Sequence, residues 1–275
     1  MTFGVHGATV RFGRVVALDD VTVEVPAGSV VAVVGGDGAG KSTLLRALVG
    51  EVALDAGTVV APAKQALGYL PAAGGSWASL TVGENIDFAA GVYGLTGAAL
   101  ADRRAELLAR ANLADAEHRL ASRLSGGMRR KLGFCLAIVH APPLLVLDEP
   151  TTGVDPVSRI DLWRLISEAA ADGTAVIMST TYLDEAERAA RLVVLDEGRV
   201  LVEGPYDEVR RGFAGAVTTS GDGPVRPRWS WRRGRARHEY WPDGDPPPGA
   251  PVTEPDLEDI VIGLSLLRRA VAAGP

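Results

Sequence analysis

The sequence predicts an α/β fold: a mainly parallel sheet flanked by helices. Three observations carry this. VVAVV at 30–34 and LLVLD at 144–148 are apolar without interruption until the closing aspartate, the pattern of strands buried on both faces. Each is followed by a loop and then by a segment with helical spacing. Strands alternating with helices need crossover connections, which favour a parallel sheet. At 275 residues and 47% hydrophobic content, the chain can hold one large α/β domain with an appendage, or two modest domains.

Taken in order, ATVRF and VTVEV alternate apolar and polar residues, and Pro26-Ala27-Gly28 is placed to turn the chain. An N-terminal antiparallel β subdomain is expected there. A Gly-rich loop then leads into STLLRALVG, which has helical spacing and stops at Gly50. Residues 81–120 read as helical. Together with the helix opened by LSGGM they define a helical subdomain over about 75–140. Beyond the second strand, a helix is expected over 157–171, a third strand over 174–180 and a helix over 182–190. RLVVLDEGRVLVEG reads as a hairpin turning at Asp196-Glu197-Gly198. Composition shifts after about residue 214. The stretch 220–256 is rich in Gly, Pro, Arg and Asp; the segment beyond 214 is expected to hold a flexible Pro/Gly-rich stretch, with 256–272 forming a terminal amphipathic helix. The expected division is one large domain over 1–214 and an accessory segment over 215–275.

Net charge is −6, which argues against a general nucleic-acid binder. Cys135 is the single cysteine, so no intrachain disulfide can form, as suits a reducing compartment. It lies on an apolar helix face and reads as core. No run of about 18 apolar residues occurs, so a membrane span, where one is needed, comes from another chain. The basic segment PVRPRWSWRRGRARHEYW at 224–241 has two readings. One is a surface for nucleic acid or anionic lipid; the other is an accessory strand pair or tail. The acidic stretch that follows dilutes its charge, and no nucleic-acid partner is expected.

The chemistry resides in three motifs. Gly35-Gly36-Asp37-Gly38-Ala39-Gly40-Lys41-Ser42-Thr43 fits G-x-x-x-x-G-K-[ST] between a buried strand and a helix start. The glycines let backbone N–H groups turn onto phosphate oxygens, and the helix N-terminus adds partial positive charge. Lys41 can reach the β- and γ-phosphates of ATP, and the Ser42 hydroxyl is a candidate Mg²⁺ ligand. The second motif, LLVLDEP at 144–150, delivers Asp148 and Glu149 to a strand's C-terminal end, where open α/β sheets bind ligands. Asp148 suits the Mg²⁺ shell, and Glu149 suits polarising an attacking water. The third, Ser125-Gly126-Gly127, opens a helix and makes a second anion site.

In this order the motifs resemble the ATP-binding cassette family, the nucleotide-binding subunits of ABC transporters, over about residues 3–212. The resemblance implies a P-loop NTPase fold with an ABC-type core. It implies that Phe12 stacks on adenine and that TTGVDP at 151–156 is the D-loop, placing Asp155. It also implies two cassettes dimerised head to tail, so that Ser125, Gly126 and Gly127 serve the partner's nucleotide. A transmembrane permease and a peripheral place on the cytoplasmic face of the cell membrane follow. The run EPTTGVDPVSRIDLWRLI and the closing EPDLEDIVIGL look most like ATPase subunits of drug or antibiotic exporters. Alternatives are a soluble ABC ATPase without a permease and a nucleotide-binding regulatory cassette.

Two positions depart from the family pattern. Ala72 follows LGYLP where the family carries a glutamine, and Thr181 follows MST where it carries a histidine. Losing an orienting or acid–base group typically removes about 10²–10⁴ in rate. Binding is therefore expected to survive while hydrolysis at this chain's own site is slowed, which favours pairing with a different, better-equipped cassette over a homodimer. Thr181 is also expected to cap the helix over 182–190, with Asp184 at its third position.

Overall fold

A computed structural model describes residues 1–220 and 226–272. Three sheets and eight helices appear among them. Strands β1 (Thr2–Phe12) and β2 (Val15–Pro26) form a hairpin that leads into β3 (Val30–Val34), and α1 (Lys41–Leu48) follows the Gly-rich loop. Next come β4 (Ala56–Val60), β5 (Leu67–Leu70), α2 (Val82–Val92), α3 (Gly97–Arg110), α4 (Gly126–Ile138), β6 (Leu144–Leu147), α5 (Pro156–Ala171) and β7 (Ala175–Thr180). The chain continues through α6 (Leu183–Ala186), β8 (Arg191–Asp196), β9 (Arg199–Gly204), α7 (Tyr206–Gly212) and β10 (Ala216–Ser220). After residue 225 it forms β11 (Ser230–Arg233), β12 (Ala236–Trp241), β13 (Val252–Thr253) and α8 (Leu257–Ala272).

The central sheet has six strands in the order β5-β6-β7-β3-β8-β9. All neighbours are parallel except β8 and β9, the expected hairpin. Its turn holds Glu197 at φ 46° and Gly198 at φ 78°, the left-handed pair that a two-residue turn needs. The N-terminal antiparallel sheet has the order β2-β1-β4.

The two apolar faces of each central strand explain the uninterrupted hydrophobic runs. Val30, Ala32 and Val34 pack with the helices α2–α5, while Val31 and Val33 pack with α1 and the N-terminal sheet. β6 divides the same way, Leu145 and Leu147 to one side and Leu144 and Val146 to the other. A sheet sandwiched like this leaves its strand ends as the places where polar chemistry meets solvent. Cys135 is buried as expected, and burial pushes its thiol up to about 12. No helix among the described residues is long and apolar enough to cross a membrane.

Of the readings of the basic segment, the accessory strand pair is the one that forms: β11 and β12 pair antiparallel in a four-stranded sheet, β11-β12-β10-β13. Residues 221–225 lie outside the described residues, and with them the start of the basic segment 224–241. The rest of that segment is a strand pair, because its aromatic residues face inward among the arginines. Tyr240 is buried, and the Trp241 indole donates to Thr218 Oγ1 at 3.0 Å. His238 and Asp259 meet at 2.8 Å, tying β12 to α8. One expectation needs correction: the helix over 182–190 runs only from Leu183 to Ala186. Bonds from Arg188 N to Glu185 O and from Ala189 N to Ala186 O tighten its end into a turn before β8.

Candidate functional site

The parallel order of β6, β7 and β3 brings three strand ends to one edge of the sheet. In register, Val34 stands opposite Thr180, and Leu147 opposite Met178. The residues just past these positions converge.

From β3 the chain enters the loop Gly35–Gly40. Gly40 is the N-cap of α1 with φ 105°, and a Cβ there would lie 2.6 Å from Ala17 O. The backbone thus needs glycine twice over, for its dihedral and for its closeness to β2. No side chain caps α1 and no acidic residue sits in its first turn, so its N–H groups are left for an anion. Lys41 is 5% exposed, and its Nζ donates to Gly35 O at 2.7 Å and Gly36 O at 3.0 Å. It has no carboxylate partner within 4 Å among the described residues. The cation is therefore held by neutral carbonyls under the loop, ready for phosphate.

Ser42 donates to Asp148 Oδ1 at 3.1 Å. A hydroxyl and a carboxylate oxygen this close would supply two of the six oxygen ligands that Mg²⁺ takes, so the donor set fits that ion. Asp148 is buried, and Ser179 also donates to its Oδ1, at 2.6 Å. The same Ser179 hydroxyl accepts from Glu149 N at 2.9 Å. Glu149 has φ 48°, a left-handed conformation that is costly for glutamate, which turns the chain sharply after β6. Ser179 therefore fixes both carboxylate residues, a role that sequence reasoning missed. The visible signal was a hydroxyl run at the end of an apolar strand.

A cleft of 410 Å³ opens over these residues, lined by Val15, Val16 and Ala17, the loop from Asp37 to Thr43, Glu149 and Glu197. Exposed Phe12 (52%) pairs with Val15 across the β1–β2 hairpin and stands beside the cleft's apolar wall. Asp37 is exposed in the loop, and Ala39 is buried.

Ser125, Gly126 and Gly127 do not line this cleft. Ser125 caps α4, accepting from Met128 N at 3.2 Å. A Cβ on Gly127 would lie 2.3 Å from Ser158 Oγ, so α4 packs directly on the start of α5. Asp155 is exposed and caps α5, and the backbone N–H of Ser158 holds its carboxyl below the usual carboxylate range. The Ser125–Gly127 turn and Asp155 thus form one outward-facing corner, separate from the chain's own cleft.

The two departures are in place. Ala72 is exposed just after β5, and Thr181 is exposed just after β7. The expectation that Thr181 caps the following helix is wrong. Tyr182 is the N-cap and no side chain caps the helix; buried Thr180 instead closes the turn before it, its hydroxyl accepting from Tyr182 N at 3.0 Å and donating to Glu185 at 2.7 Å. Glu185, 1% exposed, also accepts from Thr151 at 2.8 Å and from Arg159 at 3.1 Å. With these bonds made, Thr181 has no part in starting α6, which begins beyond Tyr182.

A second cavity of 400 Å³ lies between β5, α2 and α4. Its rim carries Trp77 and Val92, 44% and 69% exposed, and Trp77 packs edge-on against exposed Phe88 at 4.5 Å.

Comparison with known proteins gives consistent matches. Residues 18–152 match the family model described as ABC transporter. The chain is 41% identical over 199 residues to the probable multidrug ABC transporter ATP-binding protein YbhF of Escherichia coli, covering 69% of this chain and 34% of that protein. The chain thus spans about a third of that relative's length. It is 35% identical over 222 residues to the daunorubicin resistance ATP-binding protein DrrA3 of Streptomyces coeruleorubidus, covering 77% and 70% of the two chains. Among solved structures, the ATP-binding subunit of an ABC transporter superposes with a TM-score of 0.71 at 30% identity, covering 78% of this chain and 93% of that one.

Proposed function

The chain belongs to the ABC transporter family, and from that membership we propose that it is the ATP-binding subunit of an exporter whose own ATP site turns over slowly. One observation carries the nucleotide reading: Lys41, Ser42, Asp148 and Glu149 meet at one edge of the central sheet, beneath a cleft of matching chemistry. ATP would lie with its adenine near Phe12 and its phosphates on the loop 35–43. Mg²⁺, held by Ser42 and Asp148, would neutralise phosphate charge. Glu149 would take a proton from the attacking water, and Ser179, by accepting from its backbone N–H, fixes the chain turn that carries it.

Residues 1–214 serve as the nucleotide-binding domain, and 215–275 as an accessory unit. Ser125–Gly127 and Asp155 face a second cassette. Alanine at 72 and threonine at 181 cannot orient water or bond a γ-phosphate as glutamine and histidine do. A second cassette that keeps both residues would hydrolyse ATP against this chain's signature turn, while this chain's own site mainly holds nucleotide.

The permease reading rests on the groove between β5, α2 and α4. Its aromatic and aliphatic rim is unusual for an exposed surface and fits an amphipathic helical element of a membrane partner. The chain would then sit peripherally on the cytoplasmic face of the membrane. The test is co-purification from detergent-solubilised membranes of the native host. A multi-span membrane protein should accompany the unmodified chain and be lost with the pair Trp77→Asp and Phe88→Asp. Equal recovery with the double variant, or recovery of no membrane protein at all, contradicts the reading.

A further inference from the structure

Arg130 lies on α4, one turn beyond the Ser125 cap, with its head turned back toward the chain's own cleft. Its Nη2 donates to Ala72 O at 2.8 Å, and its Nη1 lies 3.5 Å from Pro71 O. The turn it holds is directly coupled to the site. Leu70 O, just before that turn, accepts from Asp148 N at 2.8 Å.

The guanidinium is half-buried, and no carboxylate lies within 4 Å of it among the described residues. A partly buried cation without an ion pair is costly unless a field compensates it. Here the field comes from the catalytic pair. Burial lowers the Arg130 pKa, and the charges of Glu149 and, next, Asp148 oppose that shift. Arg130 thus lies within electrostatic reach of both carboxylates while its hydrogen bonds go to the turn at Ala72.

Ala72 supplies no side-chain donor or acceptor. Leu70 O ties the start of the turn to Asp148 and Gly74 N closes it on Pro71 O at 2.9 Å, but Arg130 is what holds the Ala72 carbonyl itself, and a misplaced turn disorders the water the carboxylate must polarise. A planar guanidinium that can bridge two carbonyls at once is suited to that anchoring in a way an ammonium is not.

We propose that Arg130 is a positioning residue for phosphoryl transfer at this chain's own nucleotide, clamping the Pro71–Ala72 turn against Asp148 and Glu149 and replacing in part the missing glutamine. This rests on the reading of the cleft as an ATP site. It also gives α4 two ends with two duties: its cap faces the partner's nucleotide, and its second turn steadies the chain's own.

The test uses the full chain, with Mg-ATP binding and single-turnover hydrolysis of radiolabelled ATP measured separately. Arg130→Gln should slow the single-turnover step about 10-fold while ATP affinity stays within about 2-fold. Arg130→Lys should fall between, because charge is kept and the fork is lost. Adding Ala72→Gln to Arg130→Gln should recover rate, since a side-chain amide then occupies the turn itself. An unchanged rate in Arg130→Gln overturns the proposal. So does a parallel fall of rate and affinity that neither Arg130→Lys nor Ala72→Gln relieves, which marks a purely structural role. Undetectable hydrolysis by the unmodified chain overturns it too. If that chain still binds Mg-ATP, the reading of the cleft stands; if binding is also absent, that reading fails as well.

Discussion

Replacing Lys41 with alanine is expected to weaken Mg-ATP binding about 10- to 150-fold, with little loss of fold stability. The range follows from a hydrogen bond to a charged group being worth roughly 1.5–3 kcal/mol, at about 1.4 kcal/mol per decade. In the structure Lys41 spends its bonds on the carbonyls of Gly35 and Gly36. Those are exposed or half-exposed loop groups that water can satisfy when the ammonium is gone. Phosphate has no such replacement, because no other cation lines the cleft among the described residues. Titration with a fluorescent ATP analogue, alongside a thermal melt, separates the two effects. Unchanged affinity in a folded Lys41→Ala chain would remove Lys41 from the phosphate site.

The second large effect is a gain. Restoring the two absent groups together, Ala72→Gln with Thr181→His, is expected to raise ATP turnover by about 100-fold, the lower end of what a positioned orienting or acid–base group contributes. Both positions are exposed, so neither substitution has to displace core packing. Thr181 is uncommitted to the turn that follows, because Thr180 and Glu185 already close it. The single changes should give less than half of the combined gain on a logarithmic scale, since groups around one water act as a unit. Adding Glu149→Gln should cancel the gain. A double variant no faster than the parent would mean that something other than these two side chains limits the site.

The P-loop and the strand carrying Asp148 and Glu149 were legible because their chemistry lies within a few consecutive residues. The spacing of Gly35, Gly40, Lys41 and Ser42 alone specifies strand, loop and helix, and the structure places Ser42 3.1 Å from Asp148. The central sheet was legible because strands buried on both faces show in the sequence as unbroken apolar runs. Residues that act across the chain were not legible. Ser179 reaches Asp148 over 31 positions, and Arg130 reaches Ala72 over 58. Neither spacing has a local signature. The accessory sheet was left open for a different reason. Its arginines, prolines and glycines suit a flexible tail as well as a strand pair, and what decides is that Tyr240 and Trp241 are buried and bind β12 to its neighbours. The capping reading of Thr181 failed because the helix starts one residue later, with Tyr182 as N-cap and no side-chain cap. Buried Thr180 is the hydroxyl that reaches Tyr182 N, and at a strand end such alternation decides which hydroxyl is available.

The slow-site reading is tested most directly by the steady-state Mg-ATPase rate of the isolated, unmodified chain under conditions where ATP binding is shown to be saturated. Full occupancy with slow but measurable turnover is the expected result, rising when a second cassette carrying the glutamine and histidine is added. Rapid turnover by the isolated chain, abolished by Glu149→Gln, would contradict it.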